Sequence, residues 1–321
     1  MASYGLTIPL NEIPLSGHKE FLKEALSLGY KELWSAETAG YDAFSPLVLA
    51  SDWVPEMKIG TAIVPAFTRG PATIAMSAAS LANIAPGRFT LGVGASSNVI
   101  VKSWNGLDFE RPYQRTRDLV RFLKMAMEGE KVSHAFETFE IDGFRLTNPP
   151  AKAPEILVAA LREQMLKMAG READGAIINW LSSSDAKKVV PLVGGGKKVV
   201  ARVFVAPSED AKTVRSQARY AIAAYLNVPV YREFHRWLGR GDSLAGMWEA
   251  WEAGDRKAAV AAIPDEVVDD LVVHGTPADC RRKIEAYFDA GVEVVAVAIL
   301  PYGVSEVEGA RLLLPKDGAA L

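Results

Sequence analysis

The sequence has 321 residues, of which 49% are hydrophobic and 23% charged, and its formal net charge is −3. This composition excludes a disordered chain, and without a basic excess nucleic acid is a poor candidate partner. The single cysteine, Cys280, excludes an internal disulfide and suits a reducing compartment. The longest apolar runs have strand length and no secretory signal is visible, so we expect a cytoplasmic protein without a membrane span.

Short apolar segments alternate along the chain with longer segments of helical period. Eight of them predict β-strands: Tyr4–Ile8, Glu32–Ser35, Lys58–Val64, Phe89–Val93, Ile156–Ala160, Gly175–Trp180, Lys198–Val205 and Glu293–Leu300. These segments are continuously apolar rather than alternating, which is typical of strands covered on both faces. The intervening segments, such as Lys19–Leu28 and Tyr113–Met127, place apolar residues on one helical face.

Two segments interrupt this alternation. Val132–Leu146 has alternating apolar residues and predicts a β-hairpin before the fifth strand. Ser208–Val273 is rich in tyrosine and tryptophan and predicts a helical insertion between the seventh and eighth strands. No linker divides the chain, so the pattern predicts one domain over residues 1–321. We expect an α/β fold of the (β/α)8 TIM-barrel type, with a doubly wound parallel sheet as the alternative.

In a barrel of this kind, functional residues lie in the loops at the C-terminal ends of the strands. The loop Gly92–Asn98 (GVGASSN) has glycines that permit close backbone approach, and hydroxyl and N–H groups that suit an anion. Its alternative is a plain tight turn. Ser97 stands where the dinucleotide-binding fingerprint requires a third glycine, so that motif is absent.

Metal and nucleophile chemistry find little support in the sequence. The four histidines are far apart, and with one cysteine they predict no metal site. Cys280 falls in a predicted helix and is interpreted as a packing residue rather than a nucleophile. A barrel enzyme without these groups indicates that an organic cofactor carries the chemistry.

Five segments, taken in order, resemble a known family: Glu32–Glu37 (ELWSAE), Ile59–Pro71 (IGTAIVPAFTRGP), Gly87–Gly94 (GRFTLGVG), Met168–Trp180 (MAGREADGAIINW) and His274–Cys280 (HGTPADC). Through them nearly the whole chain resembles the bacterial-luciferase-like flavin and deazaflavin oxidoreductases, within them the branch that uses coenzyme F420. The resemblance implies hydride transfer between F420 and a small-molecule substrate, in a homodimer. The alternatives are an FMN-dependent monooxygenase and a non-catalytic barrel that binds a flavin or deazaflavin.

The resemblance also implies which residues bind the cofactor. A cis peptide bond at Ala62–Ile63 would form a bulge in the third strand that supports one face of the deazaflavin. The implied cofactor-binding residues are Ala62, Ile63 and Val64; Gly94, Ser96, Ser97 and Asn98; Ala159, Ala160, Leu161 and Arg162; and Asn179, Trp180 and Leu181. Backbone N–H groups at helix starts would hold the phosphate-bearing tail. Arg162 would either pair with a phosphate or point into solvent.

Glu37 follows the second strand, where relatives carry an acidic residue near the redox ring. It is therefore the predicted catalytic residue, with a surface carboxylate as the alternative. Thr38 stands where the sugar-phosphate dehydrogenases of the family carry a histidine, which disfavours that substrate class. Phe67, Trp104 and Trp180 are predicted to line an apolar substrate space, with ordinary core packing as the alternative.

Overall fold

Parallel strands close into a ring in the computed structural model, which describes residues 2–314; residues 1 and 315–321 of the predicted domain lie outside the described residues. The strands are β1 (Ser3–Thr7), β2 (Glu32–Ser35), β3 (Lys58–Thr61), β4 (Val64–Pro65), β5 (Phe89–Gly94), β6 (Val132–Ala135), β7 (Glu140–Phe144), β8 (Glu155–Ala159), β9 (Gly175–Asn179), β10 (Lys198–Ala206), β11 (Val272–His274) and β12 (Val294–Ile299). The ring runs β1, β2, β3, β5, β8, β9, β10, β12 and back to β1. Pairing between β9 and β10 closes it, so the barrel prediction is confirmed and the doubly wound alternative is wrong.

Helices surround this ring. They are α1 (His18–Leu28), α2 (Ser45–Trp53), α3 (Pro71–Ile84), α4 (Pro112–Met127), α5 (Glu163–Glu172), α6 (Ser183–Val189), α7 (Ala211–Leu226), α8 (Pro229–Trp237), α9 (Gly241–Glu252), α10 (Arg256–Ala261), α11 (Asp265–Leu271), α12 (Pro277–Asp289) and α13 (Glu306–Leu313). Prolines begin several of them, at a position where the missing N–H costs no hydrogen bond. No helix within residues 2–314 is long and apolar enough to span a membrane.

The third predicted strand is interrupted. β3 ends at Thr61 and β4 begins at Val64, and the intervening Ala62–Ile63 peptide bond is cis, as the resemblance implies. Val64 then pairs with Val93 of β5, so the strand continues after the bulge.

Both predicted insertions are confirmed. β6 and β7 form an antiparallel hairpin that precedes β8. Helices α7 to α11 lie between β10 and β12 and pack around a second apolar cluster, which includes Trp248, Leu244 and Val214 and is shared with barrel residues such as Phe204. The end of this insertion departs from the prediction, because residues 272–274 form β11 and pair with β10.

The lower part of the barrel interior is filled by apolar side chains. We call this part the floor; it consists of Trp34, Leu157, Ile177, Val200, Val294 and Ala296. Trp34 occupies space that neighbouring strands leave free by carrying glycine. A Cβ on Gly5 would lie 2.8 Å from Trp34 Cδ1, and one on Gly60 would overlap the indole ring. The floor is therefore closed by packing.

Candidate active site

Above the floor, the inner face of the barrel carries smaller and more polar residues. Because side chains alternate along a strand, the residue two positions after an inward-facing residue also faces inward. This layer, at the C-terminal ends of the strands, is called the mouth; its residues are Thr7, Ala62, Ile63, Gly94, Ala159, Asn179 and Arg202. A Cβ on Gly94 would lie 2.8 Å from Ala159 Cβ and 3.3 Å from Ile63 Cδ1, so these three residues of the mouth are neighbours.

Two polar atoms of the mouth are buried without a hydrogen-bond partner. They are the Thr7 hydroxyl oxygen and the Arg202 Nε. A buried polar group without a partner costs about 1–3 kcal/mol, so such groups call for an explanation. Their position at the end of the barrel where this fold places its active sites indicates a site for a polar ligand.

The bulge is tied to β2 by main-chain hydrogen bonds. Ala62 N–H donates to the Ser35 carbonyl at 2.6 Å, and Glu37 N–H donates to the Ile63 carbonyl at 3.1 Å. These bonds place Glu37 directly beside the cis peptide. Sequence proximity alone would not have shown this, because 26 positions separate Glu37 from Ile63.

The Glu37 carboxylate forms a bidentate ion pair with Arg69. Arg69 Nε donates to both carboxylate oxygens at 3.0 and 3.1 Å, and Nη2 donates at 2.8 Å. These hydrogen bonds raise the pKa of Arg69 above its ordinary value. The Arg69 guanidinium also lies 3.6 Å from Asp42 and over the Phe44 ring. Sequence analysis missed Arg69, although it lies within the family-like segment Ile59–Pro71.

The loop after β5 leaves the mouth through a tight turn. The Gly94 carbonyl accepts a hydrogen bond from Ala66 N–H at 2.8 Å, and Ser96 has a left-handed backbone with φ of 66°. The Ser97 hydroxyl accepts from Ile100 N–H at 3.3 Å and so begins the short helical turn over residues 99–104. Asn98 is exposed.

The loop after β8 departs in one respect from the implied phosphate grip. Ala160 N–H donates to the Ile177 carbonyl at 3.0 Å, so strand pairing uses the group that was expected to face a phosphate. Leu161 is half-buried, and Arg162 is exposed at the start of α5. Among residues 2–314, no carboxylate forms an ion pair with Arg162.

Trp180 and Leu181 lie in the packed layer beneath the insertion. Trp180 is 1% exposed and stacks on Phe204 with ring centroids 4.0 Å apart. The main-chain N–H of Trp180 donates to Asn179 Oδ1 at 3.0 Å, and the Leu181 carbonyl accepts from the Tyr287 hydroxyl at 2.8 Å. The insertion covers the indole ring of Trp180, and its predicted roles in cofactor binding and pocket lining stay predictions.

The other two predicted lining residues, Phe67 and Trp104, differ in exposure. Phe67 is half-buried, contacts Phe109 and lines a cleft of about 390 Å³ against Arg115 and the hairpin. Trp104 is 56% exposed and does not line that cleft. The structure thus brings Phe67, but not Trp104, to this cleft.

Two residues of the mouth region had no place in the sequence analysis. Arg202 is the register partner of Asn179 on the neighbouring strand. Tyr231 of α8 reaches down from the insertion, and its hydroxyl accepts a hydrogen bond from Asn179 Nδ2 at 3.3 Å. Burial raises the pKa of Tyr231 to about 12. The sequence did carry a signal for Arg202, since it is the single charged residue within the apolar strand segment 199–205.

Cys280 and His274 lie in surroundings that give them packing or hydrogen-bonding roles. Cys280 is buried, and burial raises the pKa of its thiol to about 11, so the packing interpretation is confirmed. His274 pairs through Nε2 with Asp269 at 2.8 Å. Within the described part of the chain, no group of three or more histidine, cysteine or acidic side chains is arranged to hold a metal ion.

Comparisons with known proteins agree with this architecture. A 5,10-methylenetetrahydromethanopterin reductase of Methanolobus tindarius is 25% identical over 305 residues, covering 91% of this chain and 93% of its own. The solved structure of coenzyme F420-dependent tetrahydromethanopterin reductase from Methanopyrus kandleri is 21% identical and covers 98% of both chains with a TM-score of 0.81. An F420-dependent secondary alcohol dehydrogenase solved with an F420–acetone adduct is 16% identical over 98% of both chains, with a TM-score of 0.76.

The family model described as luciferase-like monooxygenase matches residues 3–293, from the first residue of β1 to the residue before β12. The match includes the bulge, the mouth and the helical insertion. The chain therefore belongs to the luciferase-like monooxygenase family.

Proposed function

We propose that this chain is an F420-dependent oxidoreductase that transfers a hydride between the deazaflavin and a small organic substrate. The observation that carries the proposal is the mouth, where small residues adjoin the bulge and polar atoms lack partners. The similar proteins support F420, because two of the solved structures are those of F420-dependent enzymes. The mouth fits such a group, since it combines an apolar wall with unpaired polar atoms.

In this proposal the chain holds the cofactor from two sides. Ala62, Ile63 and Val64 support one face of the ring. Gly94 and Ala159 present little side chain, so a ring system can approach the backbone closely. The loops after β5 and β8 would hold the cofactor's phosphate-bearing tail, through Ser96, Ser97, Asn98, Leu161 and the unpaired guanidinium of Arg162. When bound, F420 supplies a hydride donor or acceptor at ring carbon C5.

Glu37 is proposed to carry the proton that accompanies the hydride. Its main-chain contact with Ile63 places it beside the bulge, and Arg69 fixes the orientation of its carboxylate. A general acid or base must be held within hydrogen-bond reach of the reacting group, and this pair provides such positioning. Thr38 follows Glu37, so sugar phosphates stay disfavoured as substrates. A homodimer and a cytoplasmic location stay predictions.

The test is equilibrium binding of F420 and FMN to the purified protein, followed through tryptophan fluorescence. We expect F420 to bind at micromolar concentration or tighter, and FMN at least about tenfold more weakly. A preference for FMN would replace the proposal by the monooxygenase alternative. Tight F420 binding without turnover on any ketone, alcohol or activated alkene would favour the non-catalytic barrel, and binding of neither cofactor would overturn the proposal.

A further inference from the structure

Among the seven residues that define the mouth, Arg202 is the one with a charged side chain. Val200, two residues earlier, belongs to the floor, so alternation along β10 places Arg202 on the inner face of the mouth. Its Nε is buried and has no hydrogen-bond partner, and no carboxylate within residues 2–314 forms an ion pair with it. A half-buried guanidinium without a counter-charge is rare unless a ligand provides one.

Aromatic packing holds the Arg202 guanidinium in place. It lies 4.8 Å from the centre of the Phe204 ring, and Phe204 stacks in turn on Trp180 at 4.0 Å. Trp180 contacts Tyr225, whose ring meets Tyr231 edge-on. This aromatic stack restrains the planar guanidinium of Arg202 without using its N–H donors. Those donors stay available to a ligand.

Two neutral donors accompany the cation. Asn179 lies beside Arg202 across the β9–β10 pairing, and its amide donates to the Tyr231 hydroxyl at 3.3 Å. The Tyr231 hydroxyl hydrogen stays free for a further acceptor. One guanidinium with a hydroxyl and an amide matches a singly charged carboxylate, whereas a phosphate dianion needs more positive charge than this layer contains.

The position of Arg202 relative to the bulge determines which ligand it meets. In the closed ring, β10 lies four strands from β3 in either direction, so Arg202 faces the Ala62–Ile63 bulge across the barrel. On the proposed function, one ring face rests on the bulge and the other looks toward β10. A substrate that accepts or donates the hydride on that face lies between the ring and Arg202.

We propose that Arg202, with Asn179 and Tyr231, forms a binding site for a carboxylate of the substrate. This inference rests on the proposed function, which it extends by naming the substrate class: an organic carboxylate whose reducible or oxidisable carbon lies between the carboxylate and the cofactor ring. The hydride is exchanged with that carbon, and the carboxylate itself is unchanged. The ionic bond to Arg202 sets the orientation of the substrate.

The experiment measures binding of three probes to the full-length protein by calorimetry, with and without F420. The probes are benzoate, its neutral counterpart benzamide, and phenyl phosphate. We expect benzoate to bind about tenfold or more tightly than benzamide. Equal binding of benzoate and benzamide would overturn the inference, and tighter binding of phenyl phosphate would overturn its assignment to carboxylates.

Variants of Arg202 separate a binding role from a structural one. R202Q should abolish the preference for benzoate over benzamide, R202K should retain part of it, and the exposed-surface control R282Q should retain all of it. R202M should unfold at the same or higher denaturant concentration than wild type, because it removes an unpartnered buried donor. Clear destabilisation of R202M with an intact benzoate preference in R202Q would show a structural residue. Failure to bind F420 would count against the proposed function, whereas F420 binding without an Arg202-dependent benzoate preference would count only against this inference.

Discussion

The floor and the mouth of the barrel are built on the same strands but differ in what fills them. In the floor, the space beside Gly5 and Gly60 is occupied by the Trp34 ring. Two residues further along the strands, Thr7 Oγ1 and Arg202 Nε are buried without partners. The comparison shows that glycines in the floor make room for the protein's own Trp34. In the mouth, where Gly94 and Ala159 adjoin, the proposed function assigns the room to a ligand.

Replacement of Gly92 tests the floor and should have the largest effect. A Cβ at this position would overlap the Thr61 carbonyl oxygen and approach Ile177. Gly92 is also bound through both its N–H and its carbonyl to the Thr61 hydroxyl at 2.8 Å. We expect Gly92→Ala to lower the free energy of unfolding by about 3 kcal/mol or more, measured by urea denaturation. Gly195→Ala, in open space, is the control, and an unchanged midpoint for Gly92→Ala would show that the floor is not closed.

The helical insertion covers one side of the barrel's C-terminal end. We expect water to be excluded from the region beneath it, as it is from the floor, and His235 tests this expectation. His235 is fully buried near Arg240 and Asp185, and burial lowers its pKa from 6.5 to about 4. The unfolded chain therefore binds this proton at higher pH than the folded chain. The contribution of the neutral, buried His235 to the free energy of unfolding is complete above pH 6.5. It is lost as the pH falls toward 4, by about 3 kcal/mol in total.

The measurement is the free energy of unfolding at pH 7 and pH 4 for wild type, His235→Phe and the exposed-histidine control His134→Gln. The loss on acidification should be smaller in His235→Phe by about 3 kcal/mol and unchanged in His134→Gln. Equal losses in wild type and His235→Phe would mean that water reaches His235, and that the region is open like the mouth.

Glu37 tests whether the mouth performs chemistry. We expect Glu37→Gln to bind F420 with unchanged affinity and to reduce turnover about 100-fold, because the amide cannot exchange a proton. The assay is single-turnover oxidation or reduction of bound F420 with an accepted substrate. Glu20→Gln, on the exposed surface of α1, is the control. Turnover at the wild-type rate in Glu37→Gln would assign the Glu37–Arg69 pair to loop positioning alone.

Gly94 tests the use of small residues in the mouth, and its effect should be the smallest. The valine side chain of Gly94→Val would overlap with Ala159 and Ile63, two residues of the mouth. We expect F420 to bind about tenfold more weakly, with a free energy of unfolding reduced by only about 1 kcal/mol. Fluorescence titration measures F420 affinity, and urea denaturation measures the free energy of unfolding. Gly195→Val is the control in both. Unaltered affinity would remove Gly94 from the cofactor site.

Much of the architecture could be predicted from local pattern. Apolar runs of strand length located the eight barrel strands, and a change of period located the hairpin and the insertion. These properties depend on the nearest neighbours in the chain and on burial, which composition and spacing report directly. The short β11 was missed because its pairing with β10 is made across the whole insertion.

The site was predictable only in part. Motif resemblance placed Gly94, Ala159 and the Ala62–Ile63 bulge, and the structure brings them together. It could not show the burial of Trp180, which depends on how the insertion folds over that side chain. Arg202 was overlooked, because a charge within an apolar strand shows its meaning only once its neighbours are known.

The sequence by itself determined that this chain forms a barrel with two insertions and belongs with cofactor-dependent enzymes, because strand length, period and motif order are local properties. Only the tertiary structure decided which side chains meet. Glu37 and Arg69 lie 32 residues apart and form a bidentate pair, and Asn179 and Tyr231 share a hydrogen bond across 52. Such contacts arise from barrel closure and from packing of the insertion, and no spacing along the chain encodes them.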